Sequence, residues 1–296
     1  LRSIALDFAP SSAANRATLA AWWATALPFY MYVTPPMAHA TSLFTVTLFL
    51  WLWYRARPHP SLAEAAVLGL VGGVAMALRE TNVFFFLLPA ADLAHGAVAS
   101  LRTRGPHLAA VVRRGGALAA GSLVGFLPQL LAWRALFGSL LPPSERTGYL
   151  EGGPVHLLSV LLSPQRGLFT WHPVWLLGLV GLVALARARP RIGWPLLGVF
   201  AVEVLTFASV ANWSGGMAFG QRRLLVCLFV VLFGLAELFR RWPRRTATVT
   251  VALLAWLNLS LLVQFGSGMI PRQGEVSWSR ILHNHVVEVP QRAGDI

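Results

Sequence analysis

The sequence predicts an all-α membrane protein, a polytopic bundle of about nine transmembrane helices with an interfacial segment on its outer face. Three observations carry that expectation. Of 296 residues, 56% are hydrophobic and only 12% charged, with a mean hydropathy of +0.62; soluble domains average about 25% charged residues. Apolar runs of about 20 residues recur along the chain, the length that crosses a hydrocarbon core of about 30 Å. Arginines fall in short clusters between alternate runs, as the positive-inside rule requires.

The runs lie at about 17–34, 37–54, 62–78, 83–98, 116–137, 171–186, 192–211, 222–239 and 246–265. "YRARP" follows the second run, "LRTRGPH…VVRRGG" the fourth, "RARPR" the sixth and "RRWPRR" the eighth. With Arg2 and Arg16, they put 15 of the 24 arginines on one side, so one topology satisfies every loop, with the N-terminus inside. The outer side then holds "VTPPMAHA", "RETN" at 79–82, a loop at 138–170, "NWSGGMAFGQRR" and the tail from Gly266. In the long loop, "PVHLLSVLLS" is too short to span and reads as an amphipathic interfacial segment. Residues 1–265 form the transmembrane core and 266–296 an outer tail, in a multi-pass membrane protein. A net charge of +13 would suggest nucleic acid in a soluble protein, but scattered loop clusters form no continuous patch, so membrane lipids are the expected partners and nucleic acid is not. The single cysteine, Cys227, lies within an apolar run and reads as a small core residue. No signal peptide is evident at the start, Leu1.

The segment "NWSGGMAFGQRRLL" places Arg222 and Arg223 on the outer side, where positive-inside bias offers no explanation for them. At the start of the run 222–239 they join a helix N-terminus, whose N–H groups already favour anions. Guanidinium groups add planar bidentate donors, which together make a phosphate cradle. Gly215, Gly216 and Gly220 let the backbone approach a ligand closely. Trp213 reads equally as a sugar platform or an interfacial anchor. The alternatives for the two arginines are lipid headgroup contacts or pairing with Glu203, which lies in the outer half of the run 192–211.

"WSGGMAFGQRRLL" resembles the Trp–Gly-Gly–x–x–x–Gly–x–Arg segment of bacterial membrane glycosyltransferases of the GT-C superfamily, in the branch similar to dolichyl-phosphate-mannose protein mannosyltransferases. Three further segments resemble that family in the same order over about residues 20–240: "PPMAHATSLFTVTLFLWLW", "LGLVGGVAMALRETNVFFFLLP" and "LLSPQRGLFTWHPVWLLGLVGL". The resemblance implies inverting transfer of a sugar from a polyprenyl-phosphate donor to a lipid, glycan or protein acceptor on the outer face. Such a reaction needs cations for the departing phosphate and a carboxylate to deprotonate the acceptor. Arg222, Arg223 and Arg79 meet the first need; Gln221 stands beside them, and His39 is placed for phosphate or acceptor, or as an interfacial polar cap. The family's catalytic acid sits in a first outer loop, whereas "VTPPMAHA" holds no acid and Asp7 falls inside. An N-terminal piece carrying that loop is therefore expected outside this sequence, and Glu80 is the substitute base this chain offers, beside Arg79 or in a structural contact with it. No cofactor is called for, and a divalent metal is left open.

Asp92, His95 and Glu237 read as solvated groups near inner helix ends. His156 and His172 lack partners at metal-ligand spacing. Two rival functions stand beside the transferase: a non-catalytic subunit that binds lipid-linked sugar, and a transporter or flippase. The latter needs polar groups at mid-membrane, which these clean spans lack.

Overall fold

The computed structural model describes residues 1–103, 108–140, 151–274 and 276–294. Residues 104–107 of the arginine-dense fourth loop, 141–150 of the long loop, and Glu275 and Asp295 of the tail lie outside that set. The chain is all-helical, with 77% of residues in helix. In order the α-helices are α1 (Arg2–Ala5), α2 (Ser11–Trp23), α3 (Ala38–Ala56), α4 (Leu62–Leu78), α5 (Leu87–Thr103), α6 (Leu108–Phe137), α7 (Leu157–Leu162), α8 (Leu168–Trp171), α9 (Val174–Ala188), α10 (Pro190–Ala208), α11 (Phe229–Phe239), α12 (Arg244–Gly266), α13 (Trp278–His283) and α14 (Val289–Gly294). Four helical stretches among the described residues are long and apolar enough to cross a membrane: Glu80–Arg102, Leu108–Phe137, Pro190–Ala208 and Arg244–Gly266. They mark a membrane-embedded protein.

Several expected runs take a different form. The run 17–34 splits into α2 and a π-helical turn, Phe29–Val33. A 3-10 segment, Glu80–Phe86, precedes α5, and α6 begins at Leu108, so Arg113 and Arg114 ride on a helix instead of a loop. The stretch expected to lie at the interface forms only the six-residue α7. The largest departure is at 222–239. Arg222–Cys227 is a 3-10 turn and α11 starts at Phe229, so the arginines stand a turn or more before the α-helix they were expected to open. The helix-dipole part of the phosphate cradle is lost with that shift. An 11-residue α11 rises only about 16 Å.

Packing divides the described chain into two units. The first comprises Leu1, Thr41–Gly148 and Arg191–Glu203. Its centre is the α4–α6 pair, built on Gly69 and Gly73 of one helix and Gly121 and Gly125 of the other. A Cβ on Gly69 would lie 2.1 Å from the Leu118 carbonyl oxygen, and one on Gly121 2.1 Å from that of Ala66. Two G-x-x-x-G faces thus bring the backbones into contact, the arrangement that joins helices where apolar burial gives no drive. Asp92 is not solvated as expected. It accepts from Trp53 Nε1 at 2.8 Å and pairs with Arg57 Nη2 at 2.6 Å, and Arg57 also donates to the Arg191 carbonyl.

The second unit comprises Arg2–Ala40, Tyr149–Pro190 and Val204–Ile296. Here α11 is the hub, with every residue from Phe229 to Glu237 buried. The alanine face of α2 (Ala13, Ala14, Ala17, Ala20, Ala21) is buried in the same unit. Gly181 of α9 approaches Gly234 so closely that a Cβ would sit 2.0 Å from its carbonyl oxygen. Glu237 is buried, not solvated, and its carboxylate is held by Arg240 at 2.7 Å and Arg241 at 2.6 Å. Two buried cross-links close the unit. Asn258 of α12 donates to the carbonyls of Trp23 and Thr25, and His285 Nδ1 meets Ser260 Oγ at 2.6 Å, tying the tail to α12.

Gly121→Ala is expected to destabilise the protein by about 1–3 kcal/mol through backbone overpacking. Its melting temperature in detergent should fall, while Gly116→Ala on the same helix, with nothing within 4 Å, should not lower it. Equal behaviour of the two would refute the backbone contact. Burial lowers the His285 pKa from 6.5. The folded state therefore favours neutral imidazole: the tail contact is fully present above that value and lost as pH falls below it. Tryptic cleavage in the tail, measured against His285→Gln at each pH, should rise for the native protein between about pH 7.5 and about pH 5.5; a constant ratio would exclude the switch.

Candidate functional site

The second unit gathers an arginine, a glycine turn and an aromatic platform. The loop between α10 and the 3-10 turn passes through Gly215, Gly216 and Gly220 at φ of 71°, 65° and 58°. These are left-handed values that only glycine adopts freely. Gly220 is doubly constrained, since a Cβ there would meet His172 Cε1 at 2.4 Å. Between the turns, Phe219 is pinned by Tyr30: the tyrosine hydroxyl donates to its carbonyl at 3.1 Å and accepts from its N–H at 3.0 Å. The Phe219 ring stacks on Phe29 at 4.9 Å and meets Trp171, His172 and Phe265 edge-on at 5.4–5.6 Å.

The two arginines that follow have different fates. Arg223 is buried, and its Nη1 donates to the carbonyls of Asn212 at 2.5 Å and Trp213 at 3.3 Å. Gln221, also buried, donates to the same Trp213 carbonyl at 3.2 Å. Both hold the glycine loop. Arg222 remains partly exposed, its Nη1 3.5 Å from Met37 Sδ, and its guanidinium lies against Gly215, where a Cβ would be 3.5 Å from Nε. Among the described residues Arg222 forms no ion pair with a carboxylate. The His39 ring meets Tyr30 edge-on at 5.0 Å. Trp213 is half-buried, 6.1 Å ring to ring from His156, whose Nε2 is 3.0 Å from Glu151 Oε2.

Beneath the platform lies Arg166, which sequence reasoning passed over. It is fully buried, donates to the carbonyls of Gln165 and Arg272, and lies 5.0 Å over Trp171 and 5.5 Å over Phe265. Burial draws its pKa down to about 10 and the field of Tyr30 opposes the shift, so it stays a cation at neutral pH. Its carbonyl and π partners offset the buried charge without a carboxylate.

Of the expected site residues, the structure therefore brings together Arg222, Arg223, Gln221, His39, Trp213, Gly215, Gly216 and Gly220. Arg79 and Glu80 belong to the first unit. There Arg79 caps α4 in an extended conformation, Glu80 is exposed, and Arg79 is the charge that acts on Glu203. Glu203 is buried, with no hydrogen-bond partner for either carboxylate oxygen among the described residues. No group of three metal-ligating side chains occurs among the described residues. Tyr30 and Met37 carried no signal in local spacing, because each meets its partner in this site from far along the chain. No family model, no curated protein and no solved structure matches this chain.

Tyr30→Phe should leave the buried N–H and C=O of Phe219 unpaired, costing about 1–3 kcal/mol. A lower melting temperature than that of Tyr32→Phe, whose native ring is exposed, is the expected outcome. Identical melting of the two would show that the hydroxyl does not anchor the loop.

Proposed function

We propose that this chain is a membrane glycosyltransferase of the GT-C type. It takes a sugar, with inversion, from a polyprenyl-phosphate donor at the outer face of a bacterial cell membrane, through multiple crossings. The observation that carries the reading is Arg222: a partly exposed guanidinium against Met37 and the Gly215 turn, with no carboxylate partner among the described residues. A cation so placed attracts an anion. The loop arginines support the outward placement, since the clusters between alternate runs claim the inner side.

In such a transfer the acceptor hydroxyl oxygen bonds to the anomeric carbon as the carbon–oxygen bond to phosphate breaks, and its proton passes to the carboxylate base that the resemblance places in a first outer loop. The leaving polyprenyl phosphate takes the bonding pair and gains one negative charge, which Arg222 stabilises where it develops. The Arg223 and Gln221 contacts keep the loop that presents it in one conformation, so little reorganisation accompanies the reaction. His39, whose ring meets Tyr30 edge-on, borders the same place and suits a sugar or phosphate hydroxyl. The unpaired charge on Arg222 also fits a non-catalytic subunit that binds lipid-linked sugar, and the two readings part on turnover.

The test uses the purified full chain and a labelled polyprenyl-phosphate hexose. Arg222→Ala should weaken donor binding by roughly 10- to 100-fold, the loss of a charge-assisted contact, without lowering the melting temperature. Arg223→Ala should lower both. Undiminished donor binding by Arg222→Ala sinks the phosphate assignment, and donor binding without sugar release or transfer by the native protein selects the binding subunit.

A further inference from the structure

A second basic feature lies in the first unit and has no part in the donor reading. Three adjoining hollows surround the junction of α5, α6 and the start of α10. One, of about 440 Å³, is lined by residues that include His59, Gly96, Ala99 and Arg114. A second, of about 450 Å³, shares Ala99 and is walled by His95, Arg102 and Arg191. A third, of about 250 Å³, shares Arg114 and adds Arg113. Among the described residues no carboxylate lines any of the three; Asp92, paired with Arg57, lines a further adjoining hollow that shares Arg114. Small side chains on the walls, Gly96 and Ala99 among them, leave the space open.

The hollows sit where three of the membrane-length helices end: at Arg102, Leu108 and Pro190. That is headgroup depth for any bilayer these helices cross. Beside them, Leu101, Val112 and Val98 expose apolar side chains at 64%, 66% and 48%. A cation-lined cavity at the end of lipid-facing helices, next to an exposed apolar strip, matches one ligand chemistry: phosphate on a glycerol backbone with acyl chains attached.

We propose that these hollows form a headgroup site for an anionic glycerophospholipid. Arg102, Arg113, Arg114 and Arg191 receive the phosphate, and the Val98–Leu101 and Val112 faces carry the chains. The positive-inside rule explains why arginines are on this side; it does not explain why four of them line three adjoining hollows with no acid among the described lining residues. The built shape separates a site from a merely charged surface, which attracts anionic lipid without retaining it.

The experiment compares retained lipid by native mass spectrometry. The purified full chain in detergent is given equal phosphatidylglycerol and phosphatidylcholine. The native protein should keep phosphatidylglycerol over phosphatidylcholine by roughly tenfold or more. Arg114→Gln should lose most of that preference, whereas Arg55→Gln, which removes the same charge from an exposed position of α3 outside the hollows, should keep it. Ala99→Trp fills the space at unchanged charge and should also abolish retention, which keeps the test decisive if the arginine variant fails to fold. Inorganic phosphate at equal concentration should not displace the lipid. Equal retention of both lipids, equal effects of Arg114→Gln and Arg55→Gln, undiminished retention by Ala99→Trp, or displacement by phosphate would each overturn the site.

Discussion

One hydroxyl group holds the candidate site together. Tyr30 satisfies both the N–H and the carbonyl of Phe219, a residue 189 positions away in the chain. A buried loop has no ladder partner for its backbone groups, and unpaired ones are costly. Because Tyr30 takes both, Phe219 can bury its ring among Phe29, Trp171, His172 and Phe265 while its backbone crosses an apolar interior. Everything from Gly215 to Arg222 is referenced to that anchor. Glycine at 220 completes the constraint, since only a residue without a side chain fits both the φ of 58° and the adjacent imidazole.

Glycine does different work in the two units. In the loop it supplies backbone conformations that L-residues avoid. On α4, α6, α9 and α11 it supplies close approach, with backbones near enough that a single methyl would collide. In a membrane interior, apolar side chains gain little by leaving lipid for protein, so contact between backbones takes over as the cohesive force. One of these helices, α11, is the shortest of the apolar ones of ten residues or more, and it is buried from Phe229 to Glu237. Its burial within protein lets 11 residues do without the length that a lipid-facing helix requires.

Most of the helical architecture was legible because hydropathy reports it directly. The runs at 62–78 and 246–265 reappear as α4 and α12 to within two residues. The failures have physical causes. "RRLLVCL" has the composition of a helix, but its first turn tightens to 3-10 because Arg223 is drawn back to the Asn212 carbonyl. Arg113 and Arg114 read as a loop because charge breaks an apolar run, whereas a helix end beyond the hydrocarbon carries arginine at little cost. Glu237 read as solvated because its partners, Arg240 and Arg241, belong to the neighbouring loop cluster that hydropathy treats as a unit. The contacts of Tyr30 with Phe219 and of Arg166 with Arg272 were not legible, since spacing carries no trace of contacts made across 100 residues or more.

The arginines separate into two classes by what compensates them. Arg57, Arg240 and Arg241 meet carboxylates; Arg166 and Arg223 are buried and meet carbonyls or rings. All five have structural work, and a cation held by partners within the fold is not free for a ligand without disturbing those contacts. Arg222 and the group Arg102, Arg113, Arg114 and Arg191 form no carboxylate pair among the described residues. In a chain with 24 arginines and 11 acids, uncompensated charge is unavoidable, and most of it can rest in water beside the membrane. What distinguishes these five is their surroundings: one lies against a glycine turn, and the others line three adjoining hollows. Charge that is both uncompensated and sterically framed selects the shape of its anion as well as its sign. A sugar-bearing lipid phosphate suits the first frame and a glycerophospholipid headgroup the second.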